Sequence, residues 1–203
     1  MKGTIRIIAG LMKGRVIHFN TGRFNNADIT PQKVKGAIFS IIGEDLQGKT
    51  FIDLFSGSGQ IGIEALSRGC SLVVLNEKDR FRFEFIKDFL AKNKLLDRAI
   101  LLSLDAKSAV KHISAKGVRA DFVFIDPPYS KKEGIADTYS KIISYIVGSD
   151  VLHEDSLLIA QHFSANELPQ ICHGLEKRPV KRYGSTSLSI YGWDPCDLQI
   201  LDC

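Results

Sequence analysis

The segment Asp126-Pro127-Pro128-Tyr129 places an acid, two prolines and an aromatic ring directly after the apolar run Phe122–Ile125. Proline has a fixed φ and no N–H, so the pair predicts that a strand stops here and continues as a stiff turn. A strand stop would explain both prolines, but not the flanking acid and ring. The carboxylate of Asp126 and the carbonyl of Pro127 could accept the two hydrogens of an amino group, and Tyr129 could stack on a flat base.

These groups suit methyl transfer to the exocyclic amino nitrogen of a nucleic-acid base. Such a nitrogen is a poor nucleophile because its lone pair is delocalised into the ring, and acceptors on its two hydrogens would favour a more reactive, tetrahedral geometry. In-line transfer from the sulfonium of S-adenosylmethionine then needs positioning and desolvation, and no metal. We expect a flipped or single-stranded target, with Asp126, Pro127, Pro128 and Tyr129 as the catalytic residues.

A glycine-rich loop follows an earlier apolar strand and opens a helix, with glycines at 57, 59 and 62. Glycine allows a tight turn and a close approach of the backbone to a ligand. The same spacing fits a dinucleotide site, so an NAD-dependent oxidoreductase is the alternative from a different class. The acid before the loop favours a cationic sulfonium ligand over a pyrophosphate. The predicted cofactor contacts in this loop are Asp53, Phe55, Gly57 and Gly59.

Two further acids end predicted strands. Glu77 could accept hydrogen bonds from ribose hydroxyls, or it could be an acid favoured near a helix N-terminus. Asp105 could accept from an adenine amino group while the Ala106 backbone meets the ring, or it could be an N-cap. Asp126 completes the predicted cofactor contacts.

Strands and helices alternate from residue 50 onward, which predicts an α/β fold with a mostly parallel sheet covered on both faces. Ligands of such sheets bind beyond the carboxyl ends of the strands, where these motifs lie. Seven strands are predicted, over Thr50–Phe55, Ser71–Asn76, Ala99–Leu104, Asp121–Ile125, Ser156–His162, Lys177–Tyr183 and Ser187–Trp193. The last two form an antiparallel pair. Helices are predicted over Gln60–Arg68, Asp79–Asn93, Lys107–Ala115, Ala136–Val147 and, as a short one, Asn166–His173.

The first 40 residues are basic, with seven Lys or Arg against one acid, whereas the remainder has a net charge of −2. Residues 4–9 and 15–19 predict a β-hairpin. A helix should follow, with Thr30 as N-cap and Pro31 at its first position. Its apolar stripe leaves two lysines free to reach a polyanion. The predicted RNA contacts are Arg6, Lys13, Arg15, Arg23, Lys33, Lys35 and, near the base pocket, Arg182.

Composition narrows the class of protein. A chain of 203 residues suits a hairpin extension and loop over residues 1–29 and one catalytic domain over 30–203. The four cysteines and five histidines show no metal-ligand spacing. No apolar run is long enough for a membrane span and no secretion signal is visible, so we expect a cytoplasmic protein. Nothing in the sequence demands more than a monomer, so we also expect the protein to act as one.

The sequence resembles the bacterial 16S rRNA guanine-N2 methyltransferases. The resemblance rests on Arg6–Gly10, the 53–59 loop, Glu64–Gly69, the Asp126 turn and Tyr183–Tyr191, and it runs to about residue 193. It implies a Rossmann-like class I methyltransferase fold with an N-terminal β-hairpin. It also implies one guanine of 16S rRNA in the small ribosomal subunit as the target.

Alternatives remain within and outside this class. An amino-methyltransferase for another RNA or for DNA shares the Asp126 turn, although 203 residues leave little room for the target-recognition domain of DNA enzymes. A non-catalytic RNA-binding or assembly factor could also keep this fold.

Overall fold

The computed structural model describes residues 2–20, 30–128 and 135–193. The strands are β1 (Lys2–Arg6), β2 (Val16–Asn20), β3 (Thr50–Asp53), β4 (Leu72–Asn76), β5 (Ala99–Leu102), β6 (Ala120–Ile125), β7 (Leu152–Phe163), β8 (Ile171–Cys172), β9 (Leu175–Lys177), β10 (Lys181–Tyr183) and β11 (Thr186–Gly192). The α-helices are α1 (Gln32–Ile42), α2 (Gln60–Ser67), α3 (Arg80–Lys92), α4 (Ala106–Ala115) and α5 (Ile135–Val147). The chain forms two compact units, Met1–Asp105 and Ala106–Cys203.

The first unit combines the hairpin with three parallel strands. β1 and β2 pair antiparallel, and β3, β4 and β5 lie side by side with β4 in the middle. Asp53 lies level with Leu75, and Asn76 lies level with Leu102, so the carboxyl ends of the three strands share one edge. The loops that follow these strands therefore meet at this edge.

The second unit pairs β6 and β7 in parallel and then adds antiparallel strands. β11 pairs with β7, while β9 and β10 pair with β11 and β8 pairs with β9. Ile125 lies level with Ala160. The segment after β6 is thus beside the last residues of β7.

A buried carboxylate attaches the hairpin to α2. The oxygens of Glu64, which is 0% exposed, accept the N–H groups of Ile8 (3.0 Å) and Ala9 (2.9 Å). The ammonium of Lys35 lies 3.1 Å from Glu64, and Arg68 Nε lies 3.2 Å from it. Four donors converge on one buried carboxylate, which keeps its charge compensated.

The prediction that Lys35 contacts RNA is wrong. This side chain is 0% exposed, and Nζ donates to the carbonyl of Arg6 (2.6 Å) as well as pairing with Glu64. Burial lowers the pKa of Lys35, whereas the charge of Glu64 acts in the opposite direction. The predicted apolar stripe of α1 was Val34, Ala37, Ile38, Ile41 and Ile42. Three of these residues are buried, and Lys35 and Phe39 complete the buried face in place of Ala37 and Ile41.

Most predicted elements agree with the structure to within a few residues, but three details differ. The N-cap of α1 is Pro31 instead of Thr30. The predicted helix over 166–173 is wrong, because β8 and β9 form a small hairpin there. The predicted strand over 177–183 is interrupted at 178–180, where Pro179 cannot donate to a ladder. Beyond the first hairpin, the described residues hold nine strands where seven were predicted.

Candidate active site

Close packing explains two of the three glycines around the start of α2, and the third borders open space. Gly59, the N-cap of α2, has φ of 77°, and a Cβ there would lie 2.9 Å from Ile86. A Cβ on Gly62 would lie 2.6 Å from Leu75, so this glycine lets α2 approach β4. Gly57 has φ of 53°, and a Cβ there would meet no atom within 4 Å. The backbone at Gly57 therefore borders open space that a ligand can enter.

Asp53 lies at the end of β3 and is 1% exposed. Oδ2 accepts the Gly62 N–H at 3.2 Å, so the carboxylate also fixes the start of α2. Its other oxygen, Oδ1, is buried and accepts no hydrogen bond of ordinary geometry within the described residues. Burial raises the pKa of Asp53 to about 7, and the Gly62 N–H opposes part of that rise. A cationic ligand would compensate the charge of this carboxylate.

Glu77 supports the glycine loop from the end of β4. Oε2 accepts the Gly57 N–H at 2.7 Å and Oε1 accepts the Asp79 N–H at 2.8 Å. Burial raises the pKa of Glu77, and the two N–H groups oppose that rise. Each oxygen keeps a second lone pair, so hydrogen bonds from a ligand remain possible. The N-cap of α3 is Asp79, whose Oδ1 accepts the Arg82 N–H.

The buried side chain of Asn76, at the end of β4, connects the segments that follow the two flanking strands, β3 and β5. Nδ2 donates to the carbonyls of Leu54 (3.1 Å) and Leu104 (3.0 Å), and Oδ1 accepts the Leu104 N–H (3.1 Å). Asn76 thus holds together the loops that carry Asp53 and Asp105. Sequence reasoning missed this residue, although a lone amide at the end of an apolar strand is a usable signal. The first unit brings Asp53, Gly57 and Glu77 into one cluster, while Asp105 lies exposed just before α4 begins at Ala106.

Asp126 follows β6 in the second unit, and Gln161 on β7 fixes its carboxylate. Gln161 Nε2 donates to Asp126 Oδ2 at 2.7 Å, and Gln161 is 2% exposed. The hydroxyl of Tyr139 on α5 donates to the Gln161 carbonyl. Sequence reasoning missed Gln161 as a partner of Asp126. Pro127 is buried and Pro128 is exposed, while Tyr129 lies outside the described residues.

The remaining predicted RNA contacts are mostly on the surface. Arg6, Lys13, Arg15 and Lys33 are exposed, and the Arg15 guanidinium donates to Asn93. Arg182 is exposed on β10 and lines a cleft in the second unit. Arg23 lies outside the described residues.

The donor set of the first unit fits a ligand that carries both a cation and ribose hydroxyls. Asp53 offers a buried oxygen that accepts no hydrogen bond of ordinary geometry within the described residues, Glu77 offers spare lone pairs, and Gly57 leaves room for close approach. Over residues 2–20, 30–128 and 135–193, no cluster of three or more His, Cys, Asp or Glu side chains could hold a metal ion. None of the helices in those ranges is both long enough and apolar enough to cross a membrane.

Comparison with known proteins supports this description of the fold. A candidate rRNA methyltransferase of Bacillus subtilis is 33% identical over 190 residues, which cover 92% of this chain and 98% of that protein. The ribosomal RNA small subunit methyltransferase D of Escherichia coli is 25% identical, over 93% of this chain and 90% of the relative. The solved 16S rRNA N2 G1207 methyltransferase of Thermus thermophilus, in complex with AdoMet and guanosine, is 18% identical with a TM-score of 0.71. That likeness covers 96% of this chain and half (50%) of the solved one, and it shows the fold alone.

The fold is that of the Rossmann-like class I methyltransferases, with an N-terminal β-hairpin. The profile of the family described as conserved hypothetical protein 95 matches residues 5–192. This match spans nearly all the residues that the structure describes, and the Bacillus subtilis relative supports it independently. The chain therefore belongs to the conserved hypothetical protein 95 family.

Proposed function

We propose that this chain transfers a methyl group from S-adenosylmethionine to the exocyclic N2 of a guanine in 16S rRNA of the small ribosomal subunit. The observation that carries the proposal is the part-buried hydrogen bond from Gln161 to Asp126 at the end of β6. An acid held in a fixed orientation beside two prolines suits the recognition of an amino group. The names of the relatives, which include small-subunit rRNA methyltransferases, support rRNA as the polymer.

S-adenosylmethionine supplies a methyl group that its sulfonium charge makes electrophilic. The residues that would hold it are the cluster at the carboxyl ends of β3, β4 and β5. Asp53 would compensate the positive charge and Glu77 would accept the ribose hydroxyls. The Gly57 and Gly59 backbone, with Phe55, would border the ligand. Asp105 and Ala106 would contact the adenine, as the sequence predicts.

Asp126 would act directly on the guanine amino group. Gln161 holds Oδ2, so the carboxylate keeps one orientation and can accept an N2–H hydrogen. The Pro127 carbonyl would accept the second hydrogen, and Pro128, which lacks an N–H and has a fixed φ, would keep that carbonyl aimed at it. The carboxylate of Asp126 is also a suitable acceptor for the proton that the nitrogen loses after transfer. The role of Tyr129 as a stacking surface stays a prediction.

Four exposed basic residues would grip the rRNA backbone through phosphates, without reading its sequence. They are Arg6, Lys13, Arg15 and Lys33. Selectivity for one guanine would come from the shape of the assembled subunit.

The decisive experiment is methylation of small subunits from a strain that lacks the gene, with tritiated S-adenosylmethionine and identification of the labelled nucleoside. We expect N2-methylguanosine in 16S rRNA. Asp126→Asn should slow the reaction about a hundredfold or more, whereas Asp155→Asn, at an exposed acid on β7, should leave the rate unchanged. A label on another base, or binding of NAD without binding of S-adenosylmethionine, would overturn the proposal.

A further inference from the structure

An open cleft in the second unit is lined by polar and basic side chains. Its volume is about 180 Å³, and it lies among the end of β7, the turn after it, and β9, β10 and β11. Its lining includes His162, Ser164, Lys177, Arg182, Ser187 and Ser189. We propose that this cleft binds a backbone phosphate of the RNA strand that carries the target guanine.

Two basic side chains line the cleft from β9 and β10, which both pair with β11. Arg182 on β10 is exposed, and Lys177 on β9 is half-buried with Nζ donating to the Leu168 carbonyl. A guanidinium can donate two parallel hydrogen bonds to a phosphate, and an ammonium adds a compact positive charge. Glu167 is the acid among the lining residues, and it is exposed, where solvent screens its charge.

The floor of the cleft is the buried imidazole of His162, whose pKa is affected by these two positive charges. His162 is 3% exposed, and burial together with the charges of Lys177 and Arg182 lowers its pKa, although its hydrogen bond to the Phe163 carbonyl acts in the opposite direction. In the neutral ring, Nδ1 donates to that carbonyl (3.0 Å), so Nε2 accepts from the Ser189 hydroxyl (2.9 Å). This tautomer is assigned from the hydrogen bonds. An anion in the cleft would offset both cations and raise the pKa of His162.

Hydroxyl groups complete the lining. The Ser187 hydroxyl donates to Ser164 Oγ at 2.9 Å, and Ser187 and Ser189 are buried. Such hydroxyls can turn to donate to phosphate oxygens. The aromatic neighbour of the imidazole is Tyr139, whose ring lies edge-on with centroids 6.1 Å apart.

The cleft lies close to the proposed base site along the same strand. His162 directly follows Gln161, which holds Asp126, and side chains of successive strand residues point to opposite faces. The cleft and the Asp126 carboxylate are thus on either side of the end of β7. An RNA strand that places its guanine at Asp126 can therefore continue past this end with a phosphate in the cleft.

This inference rests on the proposed function, so the first test needs no methylation. Inorganic phosphate is titrated against the full chain while the ring resonances of His162 and of the exposed His18 are followed by NMR. We expect phosphate to shift the His162 signals and raise the midpoint of its titration, with His18 affected less. Arg182→Gln should remove the effect. Equal responses of the two histidines, or no response of His162, would overturn the inference even if the chain methylates rRNA.

The second test uses small ribosomal subunits and a matched pair of variants on β10. Arg182→Gln should raise KM for the subunits about tenfold, leave kcat and S-adenosylmethionine affinity unchanged, and reduce the salt dependence of binding by about one phosphate contact. Lys181→Gln removes a neighbouring exposed charge that does not line the cleft, and it should change KM less than about twofold. Equal effects of the two variants, or a fall in kcat at constant KM, would contradict a phosphate site.

Discussion

The burial of Asp53 predicts that S-adenosylmethionine binds more tightly as pH rises. Burial raises the pKa of this carboxyl to about 7, so near neutrality about half of the ligand-free molecules carry it protonated. A cation beside Oδ1 would favour the ionised form. Binding should then release a proton, provided that Asp53 faces the ligand as proposed.

The magnitude follows from this pKa. If Asp53 is ionised in the complex, the protonated fraction of the free protein falls from about 90% at pH 6 to about 10% at pH 8. The dissociation constant should therefore fall about tenfold over this range, which corresponds to about 1.4 kcal/mol. Stability of the ligand-free protein should change in the opposite direction. For a carboxyl with a raised pKa, the stabilisation is complete below its usual value of 3.8 and is lost as pH rises through about 7.

Isothermal titration calorimetry at pH 6, 7 and 8, in two buffers of different ionisation enthalpy, measures both affinity and proton release. At pH 7 about half a proton should leave per ligand bound. Asp53→Asn should reduce the dependence on pH, whereas Asp88→Asn, at an exposed acid on α3, should keep it. Equal affinities at pH 6 and pH 8 would refute the reasoning. An undiminished dependence in Asp53→Asn would move the effect to Glu77, whose pKa is also raised.

Three further variants test the packing and the site. Glu64→Gln leaves the buried Lys35 ammonium without its carboxylate, so the free energy of unfolding in urea should fall by about 3–5 kcal/mol. Glu84→Gln removes one partner of an exposed ion pair and should lower it by less than about 1 kcal/mol. Equal losses in the two variants would contradict a buried pair. Gln161→Glu places two carboxyls about 2.7 Å apart, where they share a proton. The rate of methylation should therefore reach its plateau at higher pH, while cofactor affinity stays constant. An unchanged pH profile would show that Gln161 does not position Asp126. Gly10→Ala puts a Cβ 1.8 Å from a backbone oxygen at the end of α2, so it should lower Tm. Gly14→Ala is the matched control, because φ is also positive there but a Cβ would meet no atom within 4 Å. The fall in Tm should be clearly larger for Gly10→Ala.

The alternation of strands and helices between residues 50 and 147 was predictable because each element carries its own periodic pattern and stop signal. Gly69 has a φ of 106° and lies just after α2, where a glycine commonly ends a helix. The error over 166–173 has a definite cause. Leu168, Cys172 and Leu175 are buried at helical spacing, yet the positive φ of His173 (54°) and Gly174 (89°) turns the chain into a hairpin.

The acids of the site were predictable by type, but their partners were not. The positions of Asp53, Glu77 and Asp126 at strand ends follow from local sequence. The contact of Asp126 with Gln161 spans 35 residues, and that of Lys35 with Glu64 spans 29, so no local pattern reveals either. A lysine off an apolar stripe is usually a surface residue, and only the position of Glu64 on another helix makes Lys35 a core residue.

The attachment at Glu64 determines how this fold can be recombined with its relatives. One side chain on α2 serves backbone groups of the hairpin segment, the ammonium of Lys35 and the guanidinium of Arg68. A chimera that exchanged the hairpin alone would separate these acceptors and donors. The smallest transplantable piece of the N-terminal region therefore extends through α2, and it carries the whole glycine-rich loop of the proposed cofactor site with it.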